Sequence, residues 1–283
     1  DIADIVGDSL ALSQQAAKTK ANIILFAGVH FMAETAKILS PDKKVLIPDL
    51  MAGCSLAESC PPDAFGEFVR KHPDHTVISY VNTTAEIKAL TDIVCTSSNA
   101  VEIVNSLPKE EKIIFGPDKN LGNYIKSLTG RENMLVWDGA CHVHEEFSLE
   151  KILDLKKEHR DAKILAHPEC EKPILIVADH IGSTSSLLKY SQKDSGQKYI
   201  VATESGIIHQ MMKISPEKKF IPAPPKDSTC ACNDCNFMKL ISLKKIYNTL
   251  KYEIPEIVIK EDIRVEAEKP IRRMLEISKK LKL

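Results

Sequence analysis

Short apolar runs alternate with helical stretches along most of the chain. Each apolar run is about four to six residues long, ends in a polar turn, and is followed by apolar residues at helical spacing. Continuous apolar runs of this length are typical of strands that are buried on both faces of a parallel sheet. The pattern therefore predicts an α/β protein built from βα units.

One phrase occurs three times at nearly equal intervals. ADIVGDS begins at residue 3, TDIVCTS at residue 91 and ADHIGST at residue 178, so that Asp4, Asp92 and Asp179 are 88 and 87 residues apart. Each phrase has the pattern of a short buried strand that leads into a turn with hydroxyl side chains. The repeat predicts three related α/β/α domains with parallel sheets, and three equivalent units favour packing around a pseudo-threefold axis.

The repeat also predicts the domain boundaries. We expect a first domain from residues 1–53 with 236–283, a second from 54–140 and a third from 141–235. A strand phrase that precedes the repeat in the second and third domains has no counterpart before Asp1, which predicts a missing βα unit of about 20–30 residues. Two helices are expected over residues 237–251 and 262–279, packed on the first domain, with Pro270 starting or kinking the second helix.

Polar side chains follow the predicted strands. Ligands of parallel sheets bind beyond the carboxyl ends of the strands. His167 and Glu169 leave one strand together and are natural partners for general acid/base chemistry. The hydroxyl turns precede helices, whose N-termini suit carboxylate or phosphate groups, although ordinary N-capping is the alternative. The other polar residues predicted at strand ends are Ser9, Tyr80, Asn82, Ser97 and Thr184.

Composition narrows the class of protein. The chain has 283 residues, of which 43% are hydrophobic and 27% charged, the profile of a soluble globular protein. A net charge of −1 gives no general basic field for nucleic acid or for a membrane surface. No apolar run approaches about 18 residues, and no signal-peptide pattern is present, so we expect a cytoplasmic protein without membrane spans.

Cysteines in equivalent loops predict a metal centre. Cys54 and Cys141 close the first two repeats, and Cys230, in the same register, closes the third, with Cys232 and Cys235 nearby. Three thiolates from three repeats suit a cuboidal iron–sulfur cluster, whose fourth iron keeps an open position. A zinc site or simple buried thiols are the alternatives that the residues alone leave open. The other cysteines are predicted to be structural: Cys60, Cys95 and Cys170.

Longer phrases match a known protein family. They are DIADIVGDSL, FMAETAKIL, SYVNTTAEIKALTDIVCTSSNA, FGPDKNLGNYI, HPEC, GSTS, VATESGIIHQM and CNFMKL. With these phrases the chain resembles the quinolinate synthase family over essentially its whole length. The resemblance implies three α/β domains around a pseudo-threefold axis. It also implies a transferase of NAD biosynthesis that condenses iminoaspartate with dihydroxyacetone phosphate to give quinolinate.

The resemblance further implies a cofactor and a set of site residues. The cofactor is a 4Fe–4S cluster that works as a Lewis acid, and its three ligands match Cys54, Cys141 and Cys235, which selects Cys235 over Cys230. Proton transfer is expected from Glu169 and His167, with help from Tyr80, and Ser97 and Thr184 are expected to bind carboxylates. The substrate contacts implied are Ser9, Tyr80, Asn82, Ser97, His144, His167, Glu169, Ser183, Thr184 and Lys193.

The expected partners are the two small-molecule substrates and the aspartate-oxidising enzyme that supplies iminoaspartate. Nucleic acid and membranes are not expected partners. The alternative function is a non-catalytic iron–sulfur or zinc-binding regulatory module on the same scaffold. Such a module would keep the three cysteines but would not need Glu169, Tyr80 or the hydroxyl turns.

Overall fold

The computed structural model describes residues 2–227 and 234–282. These residues form two compact units. One contains the described residues up to Gly139 together with those from Asn236 onward, and the other is Ala140–Cys235. We call them the split unit, because its two segments are far apart in the sequence, and the 140–235 unit.

The split unit begins with a two-stranded parallel sheet. Its strands are β1 (Ile23–Leu25) and β2 (Lys44–Leu46), and the helices beside them are α1 (Ser9–Lys18) and α2 (His30–Leu39). Small side chains let the backbones of helices and strands approach closely. The buried residues of this core are Ala16, Ala33, Ala36, Val45, Ile47, Ala52 and Ile257.

A four-stranded parallel sheet follows in the same unit. Its strands β3 (Thr76–Tyr80), β4 (Ile93–Cys95), β5 (Ile113–Gly116) and β6 (Met134–Val136) lie in the order β4-β3-β5-β6. The strands are almost entirely buried, as expected for a parallel sheet covered by helices. The helices of this region are α3 (Ser55–Glu58), α4 (Pro62–Arg70), α5 (Ala85–Ala89), α6 (Ala100–Asn105) and α7 (Lys119–Thr129).

The 140–235 unit contains a second four-stranded parallel sheet. Its strands β7 (Lys163–Ala166), β8 (His180–Ile181), β9 (Lys198–Ala202) and β10 (Lys219–Pro222) lie in the order β10-β9-β7-β8. A core of apolar side chains that includes Tyr199 packs between this sheet and its helices. The helices are α8 (His142–Glu145), α9 (Leu149–Glu158), α10 (Lys172–Val177), α11 (Thr184–Lys193) and α12 (Ile207–Ile214).

The two four-stranded sheets share one strand order. In each sheet, the first strand in the sequence lies between the second and the third, and the fourth is at the edge. The repeated aspartate makes the same contact in both. Asp92 Oδ2 accepts a hydrogen bond of 2.8 Å from the Val77 N–H, and Asp179 Oδ2 accepts one of 2.7 Å from the Ile164 N–H. The aspartate of the sequence repeat therefore ties the beginning of the second strand to the first.

Side chains and backbone conformation explain where key helices begin and end. Asp118 accepts a hydrogen bond of 2.7 Å from the Leu121 N–H and so caps α7. Gly130 ends the same helix with a φ of 65°, a left-handed conformation that glycine adopts without steric cost. Ser183 caps α11 by accepting a hydrogen bond from the Ser186 N–H.

The C-terminal helices belong to the split unit. A short 3₁₀ helix (Met238–Leu240) precedes α13 (Leu243–Tyr252) and α14 (Glu261–Leu281). Pro270 lies inside α14 and does not start it. Helix α14 contacts α2, but it packs mainly against α5 and β4, beyond the first domain on which we expected it.

The prediction of an α/β protein with several parallel sheets flanked by helices is confirmed. The pseudo-threefold axis and the three domain boundaries stay predictions. Among the described residues, no helix is both long enough and apolar enough to cross a membrane.

Candidate active site

Four reactive side chains meet in the 140–235 unit, and we call them the Glu169 group: Cys141, His144, His167 and Glu169. Cys141 immediately precedes α8, which carries His144, while His167 and Glu169 lie in the turn after β7. The Cys141 sulfur, a His144 ring nitrogen and a Glu169 oxygen all lie within 4.8 Å of one another. The strand exit and the short helix thus bring thiol, imidazole and carboxyl groups together.

His144 is held firmly on one side. Its Nε2 atom is 3.1 Å from Thr203 Oγ1 in a hydrogen bond, and its ring stacks on the His167 ring with centroids 4.9 Å apart. On the other side, Nδ1 lies 3.1 Å from Glu169 Oε2. That nitrogen is buried and makes no hydrogen bond to any residue within 2–227 and 234–282. The imidazole is therefore oriented with Nδ1 towards the carboxyl group.

Electrostatics favours the charged form of His144. Burial alone would lower the pKa of the imidazole, but the Cys141 sulfur and the Glu169 carboxylate outweigh burial and raise the pKa well above its ordinary value. His167 Nδ1 lies 3.5 Å from Glu169 Oε1, so the carboxyl group has an imidazole beside each oxygen. His144, His167 and Glu169 are all at least 94% buried. Such a group can hold or move a proton away from bulk water.

Further predicted residues gather at the edge of the β3–β4 pair in the split unit. Tyr80 ends β3 and is buried, and it pairs with Cys95 at the end of β4, so Ser97 follows at the same edge. Asn82 lies just beyond Tyr80, and its buried Oδ1 has no hydrogen-bond partner among the described residues. A phenol, an amide and a hydroxyl group therefore lie at or just beyond the ends of two neighbouring strands.

The remaining predicted contacts lie at helix ends. Ser9 begins α1, and Asp8, which caps that helix, accepts a hydrogen bond of 2.9 Å from Ser98 Oγ, so this helix start is joined to the turn after β4. Ser183 and Thr184 lie at the start of α11. Lys193 is the last residue of that ten-residue helix and is exposed, about 13 Å along the axis from Thr184. The structure does not bring Lys193 to the hydroxyl turn.

Comparison with known proteins identifies the family. The family model described as "Quinolinate synthetase A protein" matches residues 1–276. Curated relatives named quinolinate synthase include proteins of Microcystis aeruginosa and Synechocystis sp., each 61% identical over 278 residues. These alignments cover 98% of this chain and 86% and 87% of the relatives. A quinolinate synthase of Chloroherpeton thalassium is 58% identical over 279 residues, covering 99% of this chain and 86% of its own.

The chain belongs to the quinolinate synthase family. The resemblance read from the sequence phrases is thereby confirmed, and so is the prediction of an enzyme. The Glu169 group provides a Cys/His/Glu constellation that can hold a metal ion in this quinolinate synthase family member.

The cysteines fall into two classes by burial. Cys54 and Cys141 each occupy the residue before a short helix, α3 and α8, and Cys235 follows β10 with its N–H donating to Glu204 Oε1 at 3.3 Å. All three are half-buried, whereas the other three cysteines that the structure describes are fully buried. Cys230 and Cys232 lie outside the described residues.

Burial explains why the second class suits structural roles. It raises the pKa of Cys60 and Cys170 to about 12 and that of Cys95 still further. A thiol in such surroundings stays protonated and is a poor metal ligand, because the thiolate is the form that binds metals.

The sequence did not predict the roles of Thr203 and of two charged residues on helices α2 and α5. Thr203, at the end of β9, orients His144, and its only signal was a hydroxyl residue directly after a strand. Glu34 on α2 and Lys88 on α5 are both buried and influence each other's charge, and we call them the Glu34 group. The signal for this pair was a charged residue on the apolar face of each helix.

The Glu34 group is held by backbone contacts. The Lys88 ammonium donates to the carbonyl oxygens of Val81, at 2.9 Å, and Thr83. Glu34 Oε2 accepts a hydrogen bond of 3.1 Å from the Ala85 N–H. Burial raises the pKa of Glu34 to about 7 and lowers that of Lys88 to about 8. This group therefore secures the turn that carries Asn82.

Proposed function

We propose that this protein is a quinolinate synthase that condenses iminoaspartate with dihydroxyacetone phosphate, losing phosphate and two water molecules, in NAD biosynthesis. The observation that carries the proposal is 61% identity to proteins named quinolinate synthase over 98% of the chain. Its expected partner is the enzyme that oxidises aspartate to iminoaspartate, and its expected location is the cytoplasm.

The proposed cofactor is a 4Fe–4S cluster held by Cys54, Cys141 and Cys235. These residues fit a cluster because they are half-buried and follow strands in loops, so their sulfur atoms are not locked in the apolar core as the structural cysteines are. When bound, such a cluster supplies a Lewis-acidic iron that polarises a carboxylate or hydroxyl oxygen.

Glu169 is the proposed proton-transfer residue, and His167 is its partner. Support comes from the pair of imidazoles beside the carboxyl oxygens and from the near-complete exclusion of water around them. His144 lies beside one oxygen of the Glu169 carboxyl group and His167 beside the other, while His167 Nδ1 accepts a hydrogen bond of 3.4 Å from the Glu169 N–H. Proton transfer by positioned groups of this kind contributes about 10²- to 10⁴-fold to rate.

Residues at the strand and helix ends are proposed to bind the substrates. Tyr80 donates a hydrogen bond to a substrate oxygen, and Asn82 uses the amide whose Oδ1 has no partner among the described residues. Ser97 and Thr184 bind carboxylates through their hydroxyl groups, because each stands in a hydroxyl turn that follows a strand. The remaining proposed contacts are Ser9, His144, Ser183 and Lys193, of which Lys193 has the least structural support.

A direct assay tests the function. The full chain is purified anaerobically, its cluster is reconstituted, and quinolinate is measured after addition of dihydroxyacetone phosphate and freshly generated iminoaspartate. We expect about four irons per chain, absorbance at about 400 nm, and quinolinate formation that depends on both substrates. A fully loaded protein that forms no quinolinate would refute the proposal and favour the regulatory module.

Two matched variants test the third ligand. Cys235→Ala should abolish cluster assembly, whereas Cys230→Ala should assemble a cluster with the iron content of the unchanged protein. The reverse pattern would assign the third ligand to Cys230, as the sequence repeat alone suggests.

A further inference from the structure

The Glu169 group contains three different metal-binding side chains on neighbouring elements. The Cys141 sulfur, a His144 nitrogen and a Glu169 oxygen lie within 4.8 Å of one another, and His144 Nδ1 is already 3.1 Å from Glu169 Oε2. Tetrahedral zinc, with bonds of about 2.0–2.3 Å, places its ligand atoms about 3.5 Å apart. Small side-chain rotations would therefore bring the three atoms to a single ion.

His144 has the hydrogen-bonding pattern of a metal ligand. Its ring is 6% exposed, Nε2 is hydrogen-bonded to Thr203 Oγ1, and the buried Nδ1 has no hydrogen bond within the described part of the chain. A metal-bound imidazole characteristically donates its second N–H to an outer partner, which fixes both the tautomer and the ring orientation. Thr203 is such a partner, and it leaves Nδ1 facing Glu169 without a hydrogen bond among the described residues, so a metal ion can replace the proton on that nitrogen.

We propose that Cys141, His144 and Glu169 bind one Zn²⁺ ion when the protein lacks its cluster. One thiolate, one imidazole and one carboxylate form a mixed donor set that zinc accepts, with a fourth position left for water. The site lies wholly in the 140–235 unit and needs neither Cys54 nor Cys235.

Zinc at this site would oppose the enzyme's activity. Cys141 is also a proposed cluster ligand, so its sulfur cannot serve both metals, and zinc would occupy the carboxyl group proposed to transfer protons. The inhibition of activity by zinc rests on the proposed function, whereas zinc binding itself does not. The cluster-free protein would therefore bind zinc, and the bound zinc would block assembly of the cluster.

Metal titration tests the site. The full chain carries Cys230→Ser and Cys232→Ser, which removes two nearby thiols, and is kept reduced and free of iron under anaerobic conditions. Zn²⁺ is titrated against a chromophoric chelator, and Co²⁺ serves as a spectroscopic probe. We expect one ion per chain and a Co²⁺ spectrum with tetrahedral bands and a thiolate charge-transfer band.

Variants separate this site from the three-cysteine set. Thr203→Val should weaken zinc binding about 10- to 100-fold by freeing the imidazole. Glu169→Gln and His144→Phe should weaken it further, because each removes a ligand, and circular dichroism confirms that they fold. Cys54→Ala and Cys235→Ala should bind zinc as tightly as the parent. Zinc binding that survives Glu169→Gln and Thr203→Val but is lost in Cys54→Ala would overturn the proposal, as would absence of stoichiometric zinc.

Reconstitution tests the competition. Protein preloaded with one Zn²⁺ should take up less than a tenth of the iron that zinc-free protein takes up, and added chelator should restore uptake. Full iron uptake with the zinc retained would show that zinc and the cluster do not compete for Cys141. The zinc-free sample reports cluster assembly separately, so a failed cluster and a failed zinc site give different results.

Discussion

The Glu34 group and the Glu169 group are both buried clusters of charged side chains, and they use their polar atoms differently. In the Glu34 group, Lys88 and Glu34 bond to the backbone of the turn at Val81, Thr83 and Ala85. In the Glu169 group, the side chains face one another, and one ring nitrogen of His144 has no hydrogen bond among the described residues.

This difference in hydrogen bonding indicates that the Glu34 group contributes to stability and the Glu169 group to chemistry. A buried charge that is fully hydrogen-bonded to the backbone has no capacity left for a ligand, and its removal leaves unpaired groups behind. A buried polar atom without a hydrogen-bond partner gives up some stability and keeps the ability to bind a ligand. We therefore expect variants of the Glu169 group to lose function while folding, and variants of the Glu34 group to lose stability first.

The largest expected effect comes from Cys141→Ala, which should remove all cluster iron. Its matched control is Cys170→Ser, in the same unit, because Cys170 is buried and its sulfur donates to the Ala202 carbonyl oxygen at 3.3 Å. Serine keeps that donor, so iron content should match the unchanged protein. Iron analysis after reconstitution measures both, and equal iron in the two variants would contradict the division between the two classes of cysteine.

Glu169→Gln should lower quinolinate formation by about 10²- to 10⁴-fold, because glutamine keeps the shape of the side chain but cannot carry the proton. Iron content and thermal unfolding temperature should change little. Activity and melting curves measured on one preparation check this. A cluster-loaded variant with full turnover would remove Glu169 from proton transfer.

Lys88→Met should cost about 1–3 kcal/mol of unfolding free energy, because the buried carbonyl oxygens of Val81 and Thr83 lose their donor and Glu34 loses a nearby positive charge. Turnover of the folded protein should fall much less than in Glu169→Gln. Denaturant unfolding measures the stability change.

Adding Glu34→Gln to Lys88→Met should restore part of that loss, since the neutral amide no longer needs the ammonium group. The double-mutant cycle should give a coupling of about 0.5–3 kcal/mol. Strictly additive losses would show that Lys88 acts through the backbone carbonyls alone.

The smallest expected effects are those of Asp92→Ala and Asp179→Ala, each about 1 kcal/mol, because one hydrogen bond to a strand N–H is lost. The two values should agree within experimental error if the two sheets are structurally equivalent at this point. Chemical denaturation of both variants tests the agreement. A several-fold difference would show that the two aspartates contribute unequally to the free energy of unfolding.

Local pattern predicted much of the fold. Apolar runs identified the strands of the two four-stranded sheets, and the recurring aspartate marked equivalent positions in them. The prediction of a buried strand was wrong for the first copy of the repeat, because residues 3–8 form no strand and Ile5 and Val6 are exposed. His167 and Glu169 could be paired from sequence, since they leave the same strand. For Pro270 the sequence left two alternatives, starting or kinking the last helix, and the structure places it inside α14.

The contacts missed at the site join residues that are distant in sequence. His144 meets Glu169 only because α8 packs beside the exit of β7, and Glu34 and Lys88 are 54 residues apart on separate helices. The spacing of apolar residues in the sequence does not show which charged side chain points into the core. Lys193 is the last residue of a regular helix, and its contact with substrate stays a prediction.

The shared strand order makes two strand exits equivalent. Val77 and Ile164, the residues bonded by the repeated aspartates, align the two sheets so that Tyr80 corresponds to His167 and Asn82 to Glu169. The same backbone position thus carries a phenol and an amide in one sheet and an imidazole and a carboxyl group in the other. Two different sets of functional groups are therefore placed by one backbone arrangement.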